Sequence, residues 1–274
     1  MIQTRLSPQP PFTALHGPVI IAHRGGSLEA PENTIASVRH GITCGADWQE
    51  IDVLLSNDDV VMVFHDDILH RTTRGAGQGL ARLKSQKQLQ QLHVGRPMWA
   101  DYVLEEFESY QITAPDFLDR FSHETIPTLE QILTLPNARI MIELKTTPTP
   151  ARLAGKVLDV VHKTRMHEQV ALGSFDFATL EAVYQRDPSV ALIGIVDDEN
   201  SMKTLLQLPL RVLAVSRTMA ESAKSQLPPG VALWVWTAYT TSQAQELYEL
   251  GVNGIITDAP TPVLQALRPN QRHD

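Results

Sequence analysis

Two histidines and an arginine stand where apolar runs of the chain end. His23 and Arg24 follow the run at 19–22 and are themselves followed by two glycines, while His65 ends the run at 60–64. A pair of imidazoles can take a proton from one oxygen and give a proton to another near neutral pH. A guanidinium can form hydrogen bonds to two phosphate oxygens at once. These side chains therefore indicate acid–base chemistry on an anionic substrate.

Three carboxylates and a lysine belong to two further apolar runs. Glu50 and Asp52 are two residues apart, as are Glu143 and Lys145, so the members of each pair point to the same side of a strand. Three bare carboxylates at one place repel each other, so either one is protonated or a cation lies between them. A single lysine carries too little positive charge to neutralise three carboxylates. All-oxygen ligands favour a hard divalent cation, Mg²⁺ or Ca²⁺, over zinc, with Mn²⁺ as a further option.

Eight short apolar runs, separated by amphipathic segments, must bring these residues together. The runs are rich in Val, Ile and Leu without strict alternation, which is typical of parallel strands covered on both faces. The pattern predicts an α/β fold, a (β/α)₈ barrel, in which functional groups lie at the C-terminal ends of the strands. A doubly wound open sheet is the alternative, but no G-x-G-x-x-G sequence opens a helix. The predicted strands are 19–23, 48–56, 139–145, 170–175, 191–196, 211–216, 231–237 and 254–258.

Two segments interrupt the alternation after the second predicted strand. Residues 56–59 are too few for a parallel crossover, so the flanking runs should form an antiparallel hairpin that ends at His65. An insert of about residues 76–125 then elaborates the connection at the catalytic face. We expect its aromatic part, 96–125, to form an ordered cap that influences substrate choice.

Size and composition exclude several classes of protein. The chain has 274 residues and a formal net charge of −8, so nothing suggests nucleic-acid binding through bulk charge. Its single cysteine, Cys44, excludes an internal disulfide and a cysteine zinc cluster. No run reaches the ~18 apolar residues of a membrane span, and no signal peptide is recognisable. We expect one domain at 19–265 between tails at 1–18 and 266–274, in a cytoplasmic protein without a stable membrane anchor and of open oligomeric state.

Eight sequence motifs follow one another along the chain: AHRGG-x₄-PENT (22–34), GADWQEIDV (45–53), VFHDDILHRTTRGAG (63–77), IPTLEQIL (126–133), IELK (142–145), SF (174–175), VWT (235–237) and GVNGIITDAP (251–260). Their order and spacing resemble the glycerophosphodiester phosphodiesterase family. This resemblance implies a barrel enzyme that hydrolyses glycerophosphodiesters, its small-molecule substrates, to sn-glycerol 3-phosphate and an alcohol with the help of one divalent cation. The family is also similar to phosphatidylinositol-specific phospholipases C, which leaves open whether a cyclic phosphate forms first.

The resemblance also implies roles for individual residues. It makes His23 and His65 the acid–base pair, and it assigns Arg24 to the phosphate and Lys145 to the neighbourhood of substrate and metal. Trp236 either floors the glycerol pocket or packs in the core. The implied metal ligands are Glu50, Asp52 and Glu143.

Two polar residues at predicted strand ends, Ser174 and Asp258, are expected to be structural. Two other functions are weighed against hydrolysis of glycerophosphodiesters. A lysophospholipase D-like activity would need an apolar groove, which the aromatics at 99–121 could supply. A catalytically silent phosphodiester-binding barrel would lack a metal ligand or a histidine, and this sequence lacks neither.

Overall fold

Eight parallel strands close into a barrel, as the sequence predicts. The computed structural model describes residues 11–14, 17–73, 75–95 and 120–269. The first strand pairs with the second on one side and with the last on the other, which closes the sheet. The barrel strands are β1 (Val19–Ala22), β2 (Trp48–Leu55), β4 (Ile140–Leu144), β5 (Val170–Ser174), β6 (Ala191–Val196), β7 (Val212–Ser216), β8 (Ala232–Ala238) and β9 (Gly254–Thr257).

The predicted hairpin is also present. Strand β3 (Val61–Val63) lies antiparallel to β2, with Val63 opposite Val53. Asp59 takes a positive φ of 64° in the turn between the two strands, a conformation that aspartate tolerates better than most residues. The hairpin carries the chain back along β2, and the N–H of Phe64 donates to the Asp52 carbonyl at 2.9 Å, so His65 emerges beside Asp52.

Helices cover the outside of the barrel. Six of them begin at a Ser, Thr or Asp whose side chain accepts a hydrogen bond from the first turn, as at Thr34 and Asp176. The helices are α1 (Ile35–Thr43), α2 (Gln86–Gln90), α3 (Leu129–Leu133), α4 (Pro150–Thr164), α5 (Phe177–Arg186), α6 (Glu199–Leu205), α7 (Ala220–Gln226), α8 (Thr241–Leu250) and α9 (Pro260–Leu267). None of these helices is both long and apolar enough to cross a membrane.

Apolar side chains fill the barrel and the layer between strands and helices as two separate clusters. Inside the barrel, the Trp48 and Trp234 rings meet edge to face with centroids 5.7 Å apart. Phe12 stacks on Trp48 at 5.5 Å, and the indole N–H groups donate to the carbonyls of Pro11 (3.1 Å, Trp48) and Phe12 (3.0 Å, Trp234). These aromatic rings form a floor beneath the C-terminal mouth, defined here as Phe12, Trp48 and Trp234.

The connection after the hairpin is ordered where it is described. A third apolar cluster lies under β3 and includes Leu69 and Leu89. Residues 67–69 are held against residues 79–81 by backbone hydrogen bonds. The expected cap at 96–125 lies outside the described residues, except for 120–125.

Candidate active site

The C-terminal ends of the strands surround a cavity of about 180 Å³. Asp52 lies directly beside the cavity, and its carboxylate is buried. Parallel strands bring residues from distant parts of the sequence to this edge, so the structure assembles all eight predicted site residues. Seven of them line the cavity: His23, Arg24, Glu50, His65, Glu143, Lys145 and Trp236.

The three predicted metal ligands form a compact cluster. Asp52 of β2 lies opposite Glu143 of β4 in the strand register, and Glu50 precedes Asp52 on the same face. Each residue offers an oxygen atom within 4.8 Å of the other two. Burial, together with the charges of Asp52 and Glu143, raises the pKa of Glu50 to about 8. Glu50 Oε1 is buried and has no hydrogen-bond partner among the described residues. An orphaned carboxylate oxygen in an all-oxygen cluster fits a hard divalent cation.

Two cations and an amide hold Asp52. Lys145 Nζ lies 3.3 Å from Oδ1, and Arg24 Nε lies 3.4 Å from Oδ2. The Asn33 amide donates to Oδ2 at 2.8 Å. Burial opposes ionisation of Asp52, but Lys145 and Arg24 outweigh it and hold its pKa well below the usual range. Lys145 also contacts Glu143 Oε1 at 2.6 Å, so it links two members of the cluster.

His23 is oriented by a buried carboxylate. Its Nδ1 lies 2.6 Å from Oδ1 of Asp258, which follows the last strand and also accepts a hydrogen bond from Ser27. The Nε2 atom is left to face the cluster, 3.9 Å from Glu50 Oε2. Burial disfavours the imidazolium, but Asp258 outweighs it and raises the pKa of His23 above its ordinary value.

His65 has a carboxylate partner of its own. Its Nδ1 lies 2.7 Å from Oδ1 of Asp66, the next residue. Arg71 binds both Asp66 oxygens, at 2.7 and 3.0 Å, and both oxygens of the buried Glu32, at 2.6 and 2.7 Å. Glu32 in turn accepts a hydrogen bond from the Arg24 guanidinium at 2.9 Å. A continuous network of charges therefore connects the two sides of the mouth.

The packing of the turn after His23 explains its two glycines. Gly25 and Gly26 have φ values of 83° and 103°. A Cβ on Gly25 would lie 2.5 Å from Ser37 in α1, and a Cβ on Gly26 would lie 3.0 Å from Pro260. Glycine is therefore needed because the turn packs against helices behind the site. This packing lets the Arg24 N–H donate to Glu50 Oε2 at 2.8 Å.

Trp236 lies between the barrel interior and the cavity. Its ring packs against the apolar cluster inside the barrel and also lines the cavity. Phe175, which follows β5, meets it edge to face with centroids 5.7 Å apart. Ser174 is structural as expected, since its hydroxyl donates to the Leu144 carbonyl at 2.8 Å.

Comparison with known proteins identifies the family. A sequence profile of the "Glycerophosphoryl diester phosphodiesterase family" matches residues 23–261. The chain belongs to this family. It is 28% identical to the glycerophosphodiester phosphodiesterase of Caldanaerobacter subterraneus subsp. tengcongensis, over 91% of this chain and 98% of that protein. The enzyme of the same name from Bacillus altitudinis is 26% identical, over 88% of this chain and 94% of its own length.

A solved structure agrees with this assignment. An Oleispira antarctica phosphodiesterase, in complex with the product sn-glycerol-3-phosphate, superposes with a TM-score of 0.76 and 26% identity, covering 91% of this chain and 96% of that one. The resemblance stated from the motifs is therefore confirmed, as is the barrel. The protein is an enzyme of the glycerophosphodiester phosphodiesterase family.

Several residues of the site were not predicted to take part in it. Asp258 was expected to be structural, yet it contacts the ring of His23. Its position directly after the last strand was the available signal. Asp66 and Arg71 stand in the HDDILHRTT motif without an assigned role, and Glu32 stands likewise in PENT. Arg71 and Asp66 are only five residues apart, but the pairing of Arg71 with Glu32 depends on the folded arrangement of two separate segments.

Proposed function

We propose that the enzyme hydrolyses glycerophosphodiesters to sn-glycerol 3-phosphate and an alcohol, with a divalent cation on three carboxylates and two histidines as proton carriers. One observation carries this proposal: Glu50, Asp52 and Glu143 converge at a cavity that two carboxylate-backed imidazoles also line. Cation, base and acid are the groups that displacement at a phosphodiester requires.

Glu50, Asp52 and Glu143 would hold the cation. When bound, it offsets the negative charge that builds up on the phosphoryl oxygens. Its charge would also offset the repulsion by Asp52 and Glu143 that, together with burial, raises the pKa of Glu50. Lys145 and Arg24, already beside Asp52, add permanent positive charge at the same side of the cavity. This arrangement supports binding of a phosphodiester anion with its phosphorus near the carboxylate cluster.

The histidines would move the protons. In both rings Nδ1 is bound to a carboxylate, Asp258 for His23 and Asp66 for His65, so Nε2 is the atom available to substrate. One Nε2 accepts a proton from the attacking oxygen, either that of a water molecule or that of the glycerol 2-hydroxyl, as this oxygen bonds to phosphorus; in the second case a water molecule then opens the cyclic phosphate. The other Nε2 donates a proton to the alcohol oxygen as its bond to phosphorus breaks.

A metal-exchange experiment tests the proposal. Protein stripped with a chelator and re-supplied with Mg²⁺, Ca²⁺ or Mn²⁺ is assayed for release of glycerol 3-phosphate from glycerophosphocholine. Activity should vanish on stripping and return with at least one metal, and the products should be glycerol 3-phosphate and choline rather than glycerol and phosphocholine. Full activity in excess chelator would contradict the proposal.

A matched pair of variants tests whether Glu50 is one of the metal ligands. Glu50→Gln removes one ligand charge and should abolish nearly all turnover while weakening metal binding measured by calorimetry. Glu168→Gln makes the same chemical change at an exposed position before β5, at the opposite end of the barrel, and should behave as wild type. Equal metal affinity in both variants would remove Glu50 from the ligand set.

A further inference from the structure

A second, larger cavity of about 580 Å³ adjoins the first. The two cavities share four lining residues, His65, Glu143, Lys145 and Phe175, so they form one continuous space. A phosphodiester whose phosphorus lies near the carboxylate cluster has two substituents. The smaller cavity, closed beneath by the barrel interior, suits a glycerol moiety. The other substituent, the leaving alcohol, would then lie in the larger cavity.

One carboxylate on the wall of the larger cavity has no ionic partner among the described residues. Glu143 is paired with Lys145 at 2.6 Å, and Asp66 is paired with Arg71 at 2.7 Å. Asp67 also lines the cavity and is exposed, and no ion pair or side-chain hydrogen bond joins it to another residue in the described ranges. The Asp67 carboxylate is therefore a local negative charge on the cavity wall that no described side chain neutralises.

The backbone of Asp67 is firmly placed. Its carbonyl accepts a hydrogen bond from the N–H of Ala81 at 2.8 Å. The next residue, Ile68, forms an antiparallel bridge with Leu80, and the N–H of Leu69 donates to Gly79 at 3.1 Å. The carboxylate thus extends from an ordered backbone, which lessens the conformational entropy that binding would otherwise remove.

Apolar groups flank this charge. Ile68 is 55% exposed and Phe175 is 37% exposed, although large hydrophobic side chains are usually covered. Both line the larger cavity, and the edge-to-face contact with Trp236 supports the Phe175 ring. A carboxylate beside an aromatic ring and an aliphatic side chain is a surface suited to an organic ammonium, whose carbon substituents favour apolar contact and whose charge favours both the carboxylate and the ring.

We propose that the larger cavity is the subsite for the leaving alcohol and that Asp67 selects alcohols that carry an ammonium group over neutral alcohols. This inference rests on the proposed function, since it concerns the second substituent of the same phosphodiester. Asp67 acts as a specificity-determining residue and leaves the chemical step unchanged. A substrate with a neutral leaving alcohol should therefore be hydrolysed equally well whether or not residue 67 carries a negative charge.

The experiment presents two substrates in competition, glycerophosphocholine and glycerophosphoglycerol, and measures the ratio of their kcat/KM values. The wild type should favour the cationic alcohol. Asp67→Asn should lower the ratio by about two- to fivefold, the effect of one exposed charge on a nearby cation. Asp67→Lys should lower it further. The difference between wild type and Asp67→Asn should shrink at high salt because exposed charges are screened.

Glu168→Gln is the matched control, since it removes one exposed carboxylate far from the mouth and should leave the ratio unchanged. A ratio that is the same in wild type, Asp67→Asn and Asp67→Lys would overturn the inference, as would a wild-type preference for the neutral alcohol. These failures differ from failure of the proposed function. In that case neither substrate would release glycerol 3-phosphate, whichever residue occupies position 67.

Discussion

Replacement of Asp258 by asparagine should lower turnover without weakening metal binding. The Asp258 carboxylate is fully buried and lies 2.6 Å from Nδ1 of His23, so it fixes both the ring orientation and the nitrogen that bears the proton. Asparagine keeps the size of the side chain but loses the charge. Its amide nitrogen can also donate to Nδ1, which would stabilise the tautomer with the proton on the wrong side.

The size of the effect follows from this one contact. A hydrogen bond to a charged group contributes about 1.5–3 kcal/mol, and each ~1.4 kcal/mol corresponds to about tenfold in rate. Asp258→Asn should therefore reduce kcat by about 10- to 100-fold, with little change in KM. Asp258 raises the pKa of His23 whereas burial lowers it, so loss of the carboxylate should lower that pKa. The limb of the pH–rate profile that belongs to His23 should move to lower pH.

The assay is a set of pH–rate profiles on wild type, Asp258→Asn, His23→Ala and the double variant, with metal affinity measured in each. If Asp258 acts only through His23, the asparagine substitution should cause no further loss once His23 is alanine. Losses that multiply in the double variant, or a kcat loss without any movement of the profile, would refute the positioning role.

Two other predictions concern catalysis and packing. His65→Ala should lower kcat by about 10²–10⁴-fold, the usual contribution of a positioned acid or base. His162→Ala should leave steady-state turnover near the wild-type value, because His162 is exposed on α4 and paired with Asp187. Gly254→Ala should destabilise the barrel by about 1–3 kcal/mol, because its Cβ would lie 2.4 Å from Trp234. A thermal melt should then show Tm lowered by about 2–4 °C per kcal/mol, and an unchanged Tm would contradict the packing argument.

The eight strands and the hairpin could be predicted because their signals are local. A run such as 191–196 is apolar throughout and short, and residues 56–59 are too few to cross a barrel. Glu50, Asp52 and Glu143 could be predicted for a related reason. In parallel strands the C-terminal ends meet at one edge, so a carboxylate near the end of a strand, such as Glu143, is placed without knowledge of its neighbours. Glu50 and Asp52 lie nearer the middle of β2, and their spacing of two residues places them on one face of the strand.

The partners of the site residues could not be predicted in this way. Asp258 is 235 residues from His23 in the sequence, and only closure of the barrel by the last strand brings them together. The contact of Gly25 with Ser37 likewise depends on how closely α1 approaches the turn. Such contacts are set by the packing of distant segments, whereas motif spacing reports only the local backbone.

The aromatic floor has an electrostatic consequence for the mouth above it. Phe12, Trp48 and Trp234 fill the barrel with apolar groups, so the carboxylate cluster has a medium of low dielectric constant on one side and the open cavity on the other. Field lines from Glu50 and its neighbours are therefore directed outward, toward the space where cation and substrate arrive. The same low dielectric constant strengthens the repulsion among the carboxylates and also their attraction for a cation. The packing at the bottom of the barrel thus helps to set the affinity at its top.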